Sequence, residues 1–190
     1  MMNMRNNNIK MMVLASLFAA IIAVCAQIIV PVGPVPFTLQ VLAINLTGMI
    51  LGSRWGAVSA AVYLTLGAVG APVFAGFNGG FQALIGKTGG YIISFIPAAF
   101  VIGWIMERGK VSVGKAFLAN LLGLLMIYAM GTAQLKFVLN LPWEQAFQFG
   151  VIPFLIPDLI KLGLASTLGV VILNRLTLAG LRTRKTSSPM

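Results

Sequence analysis

Asp158 and Lys161 are the residues whose types and spacing most directly suggest chemistry. They carry the charge in the otherwise apolar run from Val151 to Leu173, in a chain with three acidic residues in all. A separation of three places both side chains on one face of a helix. Ionisable groups are costly inside an apolar segment, so such a pair normally faces a bundle interior or a wet cavity, where it handles a substrate or ion. The plainer alternative is a mutual ion pair that only fixes helix packing.

Most catalytic chemistry is excluded by composition. With no histidine, the chain has neither the base of a Ser-His protease nor a zinc site of the His-Glu-x-x-His kind. An aspartyl protease needs two aspartates, and Asp158 stands alone. Gly86-Lys87-Thr88 looks like the end of a phosphate loop, but the position that must be glycine is Phe81. The expectation is a binding protein and not an enzyme, with no cofactor and no metal.

The elements that must position the pair are membrane spans. Hydrophobic residues make up 59% of the 190 residues and charged residues 8%, far from the roughly 25% charge of a soluble domain. Apolar segments of suitable length for a hydrocarbon core of about 30 Å occur at about 11–30, 38–53, 55–71, 91–106, 116–133 and 150–174. The expected fold is therefore an all-α integral membrane protein, a single domain over 1–190, built as a six-transmembrane-helix bundle. The net charge of +10 does not point to nucleic acid, because the basic residues follow membrane topology. With the N-terminus inside, Arg5, Lys10, Arg54, Arg108, Lys110, Lys115, Arg175, Arg182, Arg184 and Lys185 face the cytoplasm. Lys87 and Lys136 face outside, and Lys161 is embedded. That bias predicts cytoplasmic termini on both ends. Met1 to Val30 is read as a retained span and not a cleaved leader, and Cys25, the single cysteine, as a small apolar filler.

The outward connections are unusual. Pro31-Val-Gly-Pro-Val-Pro36 cannot continue a helix, because prolines lack amide donors and hold their predecessors extended. The stretch from Ala71 to Gly90 carries six glycines and three phenylalanines. Irregular backbone this apolar survives near a membrane when it packs on protein or lines a cavity, so it predicts a Gly-rich outer cap over the helix ends. Asn78, Gln82, Thr88 and Tyr91 would supply neutral hydrogen-bonding groups to an outward chamber, with Phe74, Phe77 and Phe81 as apolar walls and Lys87 near the mouth. Such a mix suits a small, mostly apolar ligand with a few fixed polar groups. Ala15, Ala19 and Ala23 form a small-residue ridge that permits close helix approach, either inside the bundle or as a docking face for another subunit.

Three stretches carry a family resemblance: VPFTLQVLAINLTGMILGSRWGAVSAAVYLTLGAVGAPVFAG, which includes Gln40, then IGKTGGYIISF, then PDLIK. In that order they resemble the BioY-type substrate-binding component, the biotin-specific S component of energy-coupling-factor (ECF) transporters. The resemblance implies a six-helix protein of the bacterial cell membrane that binds biotin from outside and is coupled, through a transmembrane protein, to two cytoplasmic ATPase subunits. It further implies that Asp158 and Lys161 are ligand positions, that Asn78 lies in the matching outer loop, and that the alanine ridge is the coupling face. Lys87 departs from the family, which commonly has proline there. An alternative function class is a proton-coupled secondary transporter of another small organic solute, with Asp158 as its carrier.

Overall fold

The structure, a computed structural model, describes residues 2–179. Arg182, Arg184 and Lys185, three of the basic residues assigned to the inner side, lie outside the described residues. Helix α1 (Met2–Gln27) leads into a short hairpin of β1 (Ile29–Val30) and β2 (Phe37–Thr38), paired antiparallel with Ile29 opposite Thr38. Then come α2 (Gln40–Ala68), the short α3 (Phe81–Ile85), α4 (Gly89–Met106), α5 (Val113–Leu139), α6 (Trp143–Gly150), a 3-10 turn (Ile152–Phe154) and α7 (Leu155–Leu178). The proline-rich stretch forms the turn of the hairpin, where its missing amides are not needed.

Five stretches among the described residues are long and apolar enough to cross a membrane, against six expected spans. The difference lies in α2, which takes in most of both the expected 38–53 and 55–71 segments and is interrupted at Gly52. Gly52 adopts φ 83° and ψ −178°, a conformation open essentially to glycine alone. At about 1.5 Å per residue, Gln40 and Tyr63 of a straight helix would lie roughly 35 Å apart. Instead Gln40 Nε2 donates to Tyr63 Oη at 2.6 Å, so the two arms of α2 fold back on each other. The reversal needs no loop because Glu107, at the end of α4, accepts from Ser53 N at 2.7 Å and from Ser53 Oγ at 2.9 Å. That carboxylate satisfies an otherwise orphaned amide at the start of the second arm, where negative charge is favoured.

Helix α4 packs between α2 and α5, α7 packs on α2 and α5, and α1 packs chiefly on α2. Glycines set the approach distances. A Cβ at Gly56 would lie 3.1 Å from the Cα of Gly48, and one at Gly48 would meet the Ala99 carbonyl and Ile102 of α4. The core includes Ile22, Ile44, Met49, Ile102, Leu135 and Leu162, all buried. On α7 the stripe Ile156, Ile160, Leu164, Leu168 and Val171 is exposed, the apolar outer surface expected of a helix in lipid.

The alanine ridge packs largely within the bundle. Ala15 and Ala19 are each 2% exposed, and Ser59 Oγ of α2 donates to the Ala15 carbonyl at 2.8 Å. Ala19 belongs to the main core, with Ala23 half-buried beside it. Small side chains here let α1 approach the second arm of α2.

Candidate ligand-binding site

The sequence Leu155-Ile-Pro-Asp158 begins α7 for local reasons. Pro157 falls in the first turn, where amides have no helical partner to lose. Asp158, also in the first turn, meets the positive end of the helix dipole. Lys161 follows on the same face and donates to Asp158 Oδ1 at 2.8 Å.

Tertiary structure completes the arrangement. Lys161 Nζ also donates to the Thr38 carbonyl at 2.6 Å and lies 3.6 Å from the centre of the Phe37 ring, which is stacked parallel to Phe154. Tyr128 Oη of α5 donates to Asp158 Oδ2 at 2.8 Å. The β hairpin, α5 and α7 thus converge on one ion pair, with Asp158 3% and Lys161 4% exposed. Within this first sphere the pair is internally compensated. Each carboxylate oxygen has one donor, and a carboxylate has further lone pairs to offer a ligand.

Above the pair lies a chamber of about 400 Å³, within the range of small-molecule sites. All seven residues expected from the sequence border it: Asp158, Lys161, Asn78, Tyr91, Gln40, Phe74 and Lys87. Gln40 is held in place, since its Oε1 accepts from Thr38 Oγ1 at 3.0 Å while its Nε2 donates to Tyr63. Phe74 stands edge-on to Tyr63 in a slot that a side chain at Gly67 would fill. Tyr91 lies over Gly131 and its hydroxyl donates to the Gly150 carbonyl at 3.0 Å, so it faces the bundle and not the interfacial belt. Asn78 Nδ2 donates to the Ala75 carbonyl at 2.8 Å, and Lys87 is exposed at the rim. Gln82 and Thr88 also border the chamber, whereas Phe77 and Phe81, expected as walls, are 71% and 65% exposed and are not part of its lining.

Tyr128, Thr38 and Phe37 were not singled out from the sequence. Tyr128 had a usable signal, because a buried tyrosine hydroxyl needs a partner and the apolar segments offer Asp158 as an embedded carboxylate. The Thr38 contribution is a backbone carbonyl and leaves no mark in residue type.

A sequence profile described as the BioY family matches residues 2–177. The chain is 46% identical over 164 residues to the probable biotin transporter BioY of Pyrococcus horikoshii, covering 86% of this chain and 93% of that one. It is 43% identical over 161 residues to the biotin transporter BioY of Thermotoga maritima, with coverages of 85% and 94%. Among solved structures, the S-component for biotin from an ECF-type ABC transporter matches with a TM-score of 0.83 at 26% identity, over 89% of this chain and 93% of that chain.

Proposed function

The chain belongs to the BioY family, and from that membership we propose that it binds biotin and takes it up across the membrane as the S component of an ECF-type transporter. The observation that carries the reading is the Asp158–Lys161 pair, buried, hydrogen-bonded by Tyr128 and Thr38, and bordering a chamber of about 400 Å³. A ureido ring offers two N–H donors and one carbonyl, and Asp158 has lone pairs free to accept the donors. The protons of Lys161 are directed at Asp158, Thr38 and the Phe37 ring. Lys161 therefore orients the carboxylate, and the ureido carbonyl falls to Asn78 or the remaining proton of the Gln40 amide. Phe74 and Tyr91 flank the apolar ring and tail, and Lys87 at the rim meets the terminal carboxylate.

In the membrane the two arms of α2 count as separate spans, which with α1, α4, α5 and α7 makes six. Both termini are cytoplasmic, and the Gly-rich connection 71–88 caps an outward chamber. The asymmetry of basic residues supports this orientation. On a Cys25-free background, a cysteine replacing Lys110 resists an impermeant thiol reagent in intact cells and one replacing Glu144 is labelled. The opposite pattern reverses the direction of ligand entry.

Energy comes from partners, a transmembrane coupling protein and two cytoplasmic ATPase subunits, since the chain has no phosphate loop. Labelled biotin binds saturably to the purified protein in detergent, and uptake in cells requires the ATPase subunits. A folded, monodisperse protein that fails to bind biotin, or uptake that follows a proton gradient without those subunits, overturns the reading.

A further inference from the structure

Two glutamines outside the chamber lining hold in place the wall formed by the α2–α4 connection, whose one regular element is the short α3. The connection between α2 and α4 contributes Phe74, Asn78, Gly79, Gln82, Gly86 and Lys87 to the chamber. Phe74 and Leu84 anchor it in the core, with Val73 and Ala83 packed partly buried against it, while Phe77, Phe81 and Ile85 are exposed. Gln27, the last residue of α1, reaches one end: its Nε2 donates to the Phe74 carbonyl at 3.1 Å and the Val73 carbonyl at 3.4 Å, and its Oε1 accepts from Phe77 N at 2.9 Å. Gln134 of α5 reaches the other end, with Nε2 donating to the carbonyls of Leu84 at 2.7 Å and Gly86 at 2.8 Å. Among the described residues, these five bonds are the side-chain hydrogen bonds that tie the connection to other elements. They satisfy backbone groups that helix geometry leaves open, which a short irregular segment otherwise surrenders to water.

The Gly89-Gly90 pair of the TGGY stretch makes room for this. A Cβ at Gly89 would collide with the Leu84 carbonyl and the Gln134 amide, and one at Gly90 with the Met130 carbonyl and Gln134. Those two glycines admit α5 and its glutamine to the end of α3.

The geometry points to Gln27 and Gln134 as positioning residues that hold the connection closed over bound ligand and so set its release rate without touching it. The other walls are helices and the hairpin, packed into the bundle, so the connection is the wall whose movement disturbs the core least. This rests on the biotin-binding reading above and assigns its kinetic control.

The test uses near-isosteric variants of the full chain. Gln134→Glu turns both donors into acceptors facing carbonyls, and labelled biotin leaves it about tenfold faster or more, as the loss of two hydrogen bonds implies. Gln27→Glu keeps the bond from Phe77 N, loses the two donated bonds and shows a smaller acceleration. Association is not slowed in either. Hydrogen exchange of amides 71–86, read without ligand, accelerates in both variants. Gly89→Ala displaces the Gln134 bonds from the opposite side and reproduces the fast release. Unchanged exchange in the folded variants overturns the inference, as does an affinity loss that appears wholly as slower association. If wild type fails to bind biotin, the biotin reading falls, while the exchange measurement still decides whether the glutamines hold the connection. If wild type binds and the variants release biotin at its rate, the glutamine assignment alone falls.

Discussion

On the α7 side of the chamber, the two charged groups project from one helix, hold each other and are each held from another element: Asp158 by Tyr128, and Lys161 by Thr38 and Phe37. On the opposite side the 71–88 connection presents Asn78 and Lys87 from irregular backbone, tied to the body by two glutamine side chains. In the proposed function the contrast separates recognition from access. A buried carboxylate is useful for selecting a hydrogen-bond donor because a ligand lacking that donor leaves the acceptor unmatched at a cost of about 1–3 kcal/mol. Such a group must stay still, so it belongs on packed helices. The wall that admits the ligand must move, and side-chain bonds to backbone carbonyls break more readily than a helix interface.

The contrast is most exposed to test on the helix side. Asp158→Asn keeps the shape and removes the charge, and biotin binding weakens by about 1.5–3 kcal/mol, roughly ten- to a hundredfold, in a protein that still inserts and runs as one species. Unchanged affinity by equilibrium binding of labelled biotin would reduce the pair to helix packing. Tyr128→Phe tests whether the carboxylate must also be oriented from α5. Hydrogen bonds between membrane helices average about 0.6 kcal/mol and reach about 1.7, so affinity falls about three- to eighteenfold. An affinity equal to wild type would show that Lys161 orients Asp158 alone. Lys87→Ala, on the connection side, has the smallest effect. An exposed ion pair contributes about 0.2–1 kcal/mol, so biotin binding weakens by no more than about fivefold, and preference for biotin over its methyl ester disappears. Wild-type discrimination in this variant would place the carboxylate elsewhere.

Much of the site was legible because its signals are local. Asp158 and Lys161 stand out as charges in an apolar run, and their spacing of three fixes a common face whatever surrounds the helix. The chamber-facing part of the Ala71–Gly90 stretch was legible for a similar reason, since so apolar and glycine-rich a segment has no stable place in open solvent. Phe77 and Phe81 were misassigned because an apolar side chain beside a membrane can face either protein or lipid. The alanine ridge is ambiguous on the same ground: small residues announce a close contact and not its partner, and Ser59 of α2 makes one such contact.

From the sequence alone came the membrane class, the charged pair and the family. These follow from composition, from periodicity along one helix and from contiguous motifs, all properties of neighbouring residues. Tertiary structure decided what joins residues far apart: the reversal at Gly52 that brings Gln40 to Tyr63, the Thr38 carbonyl on Lys161 across 123 positions, the Tyr128 hydroxyl on Asp158, and the two glutamines on the connection. In a soluble helix the polar face marks the outside, and the buried face can be read by subtraction. Here lipid and core are equally apolar, so no periodicity distinguishes them, and only the packing of one helix on another determines which side chains meet.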